Sequence, residues 1–177
     1  MQPELQHLRT VLQAHAEAQP KRLALWGDSE RVDYQSLLQE VQRREALLRM
    51  QGVKVFALAL ENGTEAVLWD LAGLFAGIAC VLLPPFFSPA QRAHCLQQSQ
   101  ATLVIAEESM AEELQGCDFR HDGLFWRSMA QAGNSHLPAG TAKITYTSGT
   151  TGTPKGVCLS AEAMLRVARE LESVSRS

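Results

Sequence analysis

Apolar residues recur at helical spacing along several stretches of the chain. Across residues 3–19, Leu5, Leu8, Val11, Leu12 and Ala16 share one face, and Pro20 ends the pattern. Residues 34–50 form a second amphipathic pattern, turning Leu37, Leu38, Val41 and Leu48 inward and Glu40, Arg43, Arg44 and Arg49 outward, with Gly52 as its stop. A third helix is expected from Thr64, read as its N-cap, to Ala76, where Gly77 breaks it. A fourth starts at Pro89 and runs through Gln100. Between the helices, residues 23–27 and 32–34 read as a strand pair about a turn at Asp28 and Ser29. Residues 53–60 (VKVFALAL), 80–83 and 102–106 (TLVIA) are nearly all apolar, as in strands covered on both faces of a parallel sheet. The order strand, helix, strand, helix, strand predicts an α/β fold, a mostly parallel sheet flanked by helices and joined by right-handed crossovers.

The pattern weakens over residues 107–141, where Gly116, Gly123, Gly133, Pro138 and Gly140 interrupt it. A helix over 110–114, a strand over 124–126 and a long surface loop are expected there. The chain therefore divides into an α/β core (1–106), an irregular connection (107–141) and a closing segment (142–177). Residues 66–87 (AVLWDLAGLFAGIACVLLPPFF) are long enough to cross a bilayer, but Asp70, the Pro84-Pro85 break and the absence of a positive flank favour a buried helix feeding a buried strand. The 177 residues are 46% hydrophobic and 20% charged with a net charge of -3, so a globular chain without a nucleic-acid surface is expected. Arg43 and Arg44 are read as part of a solvated face. Cys80, Cys95, Cys117 and Cys158 lie far apart with no metal-ligand spacing, and the first residues do not form a signal peptide, so a reducing cytoplasm is expected.

The most informative stretch is KITYTSGTTGTPKGVCLS, residues 143–160. A strand carrying Ile144 and Tyr146 runs into a Thr/Ser/Gly loop that ends in Pro154-Lys155-Gly156, and a second short strand (157–159) follows. Gly149, Gly152 and Gly156 let the backbone approach a ligand closely, and successive N–H groups in such a turn form an anion-binding concavity. Thr147, Ser148, Thr150, Thr151 and Thr153 add hydroxyls, and Lys155 adds a full positive charge. The Gly-Lys-Ser/Thr spacing of P-loop NTPases is absent, as is the G-x-G-x-x-G of dinucleotide folds.

This signature resembles the glycine-rich loop of the adenylate-forming (AMP-binding) superfamily of acyl- and aryl-CoA synthetases, nonribosomal peptide adenylation domains and luciferases. VDYQSLLQEVQ and LFAGIACVLLPPFFSPAQ resemble two upstream family segments in the right order. The resemblance implies the N-terminal part of the large AMP-binding domain, with the C-terminal domain absent. It implies a ligase that uses ATP and Mg2+ to convert a carboxylic acid to an acyl-adenylate, then passes it to a thiol of CoA or of a carrier-protein phosphopantetheine. Thr147, Ser148, Gly149, Thr150, Thr151, Gly152 and Lys155 match the phosphate-contacting positions, and Thr147 matches one that can meet magnesium.

Two positions depart from the family pattern: Ala161 stands where a histidine is common, and Pro84-Pro85-Phe86-Phe87-Ser88-Pro89 replaces the usual Pro-Leu-Asn/Asp-Pro step. The adenine-binding segment, the ribose-binding acid and the main catalytic residues are expected beyond Ser177. The isolated chain is therefore expected to bind ATP weakly and to be inactive, either as an excised piece or as a natural truncation that exposes apolar surface and self-associates. The alternative is a non-catalytic binding or interaction module. Ser160 is read as the N-cap of a helix over 161–173, not as a nucleophile. His15 is read as a boundary residue, and Trp26, Trp69 and Trp126 as core or interface aromatics.

Overall fold

A computed structural model of the chain describes residues 3–27, 30–110, 113, 119–121, 124–128, 137–147 and 153–175. The expected turn at Asp28 and Ser29 lies outside these residues, as do Cys117 and most of the helix expected over 110–114. The chain opens with helix α1 (Pro3–Ala18) and a small antiparallel pair, β1 (Leu23–Trp26) and β2 (Arg31–Asp33). Helix α2 (Tyr34–Gln51) follows. Asp33 caps it by accepting from the Ser36 backbone N–H at 2.7 Å, and Gly52 closes it in the left-handed region at φ 65°. Then come β3 (Val55–Ala59), α3 (Thr64–Ala76), β4 (Ala79–Leu82), α4 (Pro89–Ser99) and β5 (Leu103–Glu107).

Strands β5, β3 and β4 pair in parallel, the alternating strand–helix architecture that the apolar runs imply. Beyond residue 107 the chain contributes more order than its pattern suggests. Strands β6 (Phe119–His121) and β7 (Leu124–Ser128) extend the sheet antiparallel beyond β5, and a single turn of 3-10 helix covers Glu108–Met110. With β8 (Thr141–Thr147) and β9 (Lys155–Ser160) the sheet has the order β6-β7-β5-β3-β4-β8-β9, its four central strands parallel and its edges antiparallel. Helix α5 (Ala161–Ser175) closes the chain, and the Ser160 hydroxyl accepts from the Ala163 N–H at 3.2 Å, as expected of an N-cap.

The period-2 alternation of the buried strands sorts the core into two layers. Val55, Ala57, Val81, Val104 and Ile144 face α4, whereas Phe56, Leu58, Cys80, Leu103 and Ile105 face α2 and α3. Three details differ from the sequence pattern. Arg44 faces inward at 5% exposure: its guanidinium donates to Glu65 at 2.7–3.1 Å, pairs with Glu40 and lies over the Trp69 ring. A charge can be buried there because both of its carboxylate partners are in place. Gly63, not Thr64, occupies the N-cap of α3, and the Thr64 hydroxyl donates to Glu30 instead. Trp69 is buried as expected, but Trp26 is 75% exposed on a two-stranded sheet too small to cover it, with the Arg31 guanidinium 5.2 Å from its ring. Among the described residues no helix is long and apolar enough to cross a membrane.

Candidate functional site

The glycine-rich signature lies at one end of the β8–β9 hairpin. Strand β8 runs parallel to β4 in the register Cys80↔Lys143 and Val81↔Ile144, so its C-terminal end lies beside that of β4. Open α/β sheets take their ligands beyond the carboxyl ends of such strands. The hairpin ladder closes with Ile144↔Cys158, Thr145↔Val157, Tyr146↔Gly156 and Thr147↔Lys155. Directly paired residues share a face, so Thr147 and Lys155 project to the same side of the sheet, the side that carries α3. Both are exposed, and Lys155 forms no ion pair with any described residue. Ser148, Gly149, Thr150, Thr151 and Gly152 lie outside the described residues. The structure thus brings together the first and last of the expected phosphate contacts. Lys155 itself begins β9, which starts two residues earlier than its apolar pattern suggests.

Two features of the hairpin were not legible as site features. Lys143, on the α3 side of β8, donates to Asp70 of α3 at 2.6 Å, and the two side chains are 19% and 30% exposed. This pairing accounts for the lone charge in the apolar stretch 66–87. A partly buried carboxylate needs a partner, and the sequence separation of 73 residues conceals it. Burial raises the Cys80 thiol well above its ordinary range, and the Asp70 carboxylate adds to that. On the opposite side, Tyr146 is buried and its hydroxyl donates to the Cys95 carbonyl of α4 at 3.1 Å. Burial pushes the phenol up to about 12; the neighbouring Cys95 adds to the rise and the nearby Ser99 hydroxyl opposes it. The Tyr146 ring covers Gly156 so closely that a Cβ there would lie 3.1 Å from it.

The donor set suits a polyphosphate. It offers an ammonium without a described counter-ion, a hydroxyl paired across from it, and a glycine that keeps the strand flush with its neighbour. Thr147 is the one described residue of the set that could offer an oxygen to magnesium. A cleft of ≈ 380 Å³ lies at the other end of β8, lined by Leu5, Arg49, Gly77, Ile78, Thr141 and Ala161 among others, and contains none of the signature residues.

Known proteins resemble this chain in sequence and in fold. The sequence profile of AMP-binding enzymes matches residues 12–176. Tyrocidine synthase 2 of Brevibacillus parabrevis is 30% identical over 161 residues, which cover 87% of this chain and 4% of the synthase. The 2-succinylbenzoate–CoA ligase of Bacillus licheniformis is 31% identical over 156 residues, covering 82% of this chain and 32% of the ligase. Among solved structures, VinN superposes with a TM-score of 0.74 at 22% identity over 96% of this chain and 47% of its own. The o-succinylbenzoate coenzyme A synthetase from Bacillus subtilis, in complex with AMP, gives 0.61 at 24% identity over 85% of this chain and 42% of its own. At these identities the two structures establish a shared fold. The chain spans less than half the length of each of these relatives. With the profile match running through both the α/β core and the glycine-rich β8–β9 hairpin, the chain belongs to the AMP-binding, adenylate-forming enzyme family.

Proposed function

We propose that the protein carrying this chain activates a carboxylic acid as its acyl-adenylate and hands the acyl group to a thiol, either CoA or a carrier-protein phosphopantetheine. The observation that carries this reading is the Thr147↔Lys155 pair at the loop end of the hairpin ladder, on one face and without a described counter-ion to Lys155. In the first step a carboxylate oxygen attacks the α-phosphorus of ATP, the bond to the bridging oxygen breaks, and pyrophosphate leaves. Lys155 holds the β- and γ-phosphates, neutralising charge as it grows on the leaving group, with Ser148, Gly149, Thr150, Thr151 and Gly152 completing the grip. Thr147 offers its hydroxyl to the phosphates and to magnesium, which supplies further charge neutralisation when bound. In the second step the thiol sulfur attacks the acyl carbon and AMP departs.

In this reading residues 1–106 are scaffold and 142–177 carry the phosphate hairpin. The acid pocket and the adenine wall are not assigned to residues of this chain. The free thiols of Cys80, Cys95 and Cys158 support a cytoplasmic setting. The test is acid-dependent exchange of pyrophosphate into ATP by the protein of full family length, with and without Lys155→Ala. A charge-assisted hydrogen bond contributes about 1.5–3 kcal/mol, so exchange should fall roughly 10- to 150-fold. Exchange that is unchanged in the variant removes Lys155 from the mechanism. A second reading, a non-catalytic interaction module, is favoured by the exposed Val167, Leu171 and Val174 of α5, and exchange activity would exclude it.

A further inference from the structure

We propose that Tyr146 is a positioning residue for Lys155, acting through Gly156. This rests on the reading of the hairpin as a phosphate site. Tyr146 precedes Thr147 in β8, and its cross-strand partner Gly156 follows Lys155 in β9, so one side chain lies behind both ends of the loop. Its hydroxyl is fixed to the Cys95 carbonyl on α4 at 3.1 Å. Its ring lies against Gly156, where a Cβ would meet ring atoms at 3.1 and 3.2 Å and the Ile144 side chain at 3.3 Å. Tyr146 therefore connects α4, which belongs to the rigid core, to the strand that begins with Lys155. Tyr146 faces α4, whereas Lys155 faces the other side of the sheet and carries a long, flexible, exposed side chain. Beyond its own pairing with Thr147 in the ladder, its Cα is fixed through the neighbouring glycine, the kind of support a binding group needs to hold its geometry.

The test is a double-mutant cycle read by calorimetric titration of the full chain with magnesium tripolyphosphate, alongside thermal melts that establish folding. Lys155→Ala is made in the wild-type, Gly156→Ala and Tyr146→Leu backgrounds. The last two attack the same contact from opposite sides, so one suffices if the other does not fold. If Tyr146 and Gly156 act by placing Lys155, the lysine substitution weakens binding at least roughly tenfold in the wild type and less than about threefold in either altered background. A merely structural role for Tyr146 would lower the melting temperature but leave the Lys155→Ala factor the same in all backgrounds, and that result overturns the proposal. A wild-type chain that shows no saturable tripolyphosphate binding overturns the phosphate reading itself, and the proposal with it.

Discussion

Replacing Gly73 by alanine probes the contact that brings α3 down onto the sheet. A Cβ at this position would lie 2.5 and 2.7 Å from two ring carbons of Phe56, whose side chain is 0% exposed. Carbon atoms in contact prefer about 3.5–4.0 Å, so the ring or the helix must move by roughly 1 Å within a closed layer. Overpacking of this kind costs about 1–3 kcal/mol, and the depth of the overlap places Gly73→Ala near the upper end. Alanine recovers roughly 0.8–1.0 kcal/mol of helix propensity, leaving a net destabilisation of about 2 kcal/mol. For a domain of this size that lowers the melting temperature by about 4–8 °C, read by calorimetry or circular dichroism. Phe56→Leu removes the obstructing ring atoms, so adding Gly73→Ala to that variant should cost nothing further. A Gly73→Ala protein that melts at or above the wild type would show that Phe56 swings aside freely, and would refute the claim of a tightly closed layer.

Other expectations follow from the same packing. Asp70→Asn leaves the Lys143 ammonium partly buried without its counter-charge and should cost about 1.5–3 kcal/mol in urea unfolding; a loss below about 0.5 would show the pair to be solvent-screened. Burial raises the Cys95 thiol to about 11 and Cys80 well above its ordinary range, while Cys158 is exposed. At pH 8 iodoacetamide should therefore alkylate Cys158 and spare Cys80 and Cys95 in peptide maps, and rapid labelling of Cys80 in the folded chain would contradict the core. Hydrogen bonds from the Ser36 side chain and backbone lower the Asp33 carboxyl, with Lys21 assisting. Glu40 is lowered as well: burial raises it, and the bonds from Arg44 and Arg43 outweigh that. Carboxyls depressed by folding give stability that is fully present above their unfolded values near about 4 and is lost as pH falls through the folded ones. The Asp33→Asn chain should therefore show a shallower loss of melting temperature below that pH, and an unchanged acid profile would remove Asp33 from the account.

The local order of the fold was readable because it rests on short-range periods. The apolar runs 53–60 and 102–106 are strands at the centre of the sheet, and Gly52 and Gly77 end α2 and α3 in the left-handed region. The two strands of the β8–β9 hairpin were readable because β8 alternates and an apolar run follows Pro154-Lys155-Gly156. What stayed hidden depends on distant partners. The pattern puts Arg44 outside because it carries no information about Glu65, 21 residues away, or about the Trp69 ring beneath it. Asp70 reads as an anomaly until β8 brings Lys143 to it. The strand expected over 124–126 is the core of β7, but β6 stayed hidden because it becomes a strand only by pairing with β7, in a stretch broken by glycines. Tyr146 reads as one more core position of an alternating strand, because its relation to Gly156 exists only across the hairpin.

The most direct test of the phosphate hairpin is a titration of the isotopically labelled chain with magnesium ATP, followed through the backbone amides. The amides of Thr147 and Lys155 should shift saturably and together, while those of Thr141, Gly77 and Ile78 around the cleft at the other end of β8 stay in place. Saturable shifts confined to that cleft, or none at the hairpin at millimolar nucleotide, would contradict it.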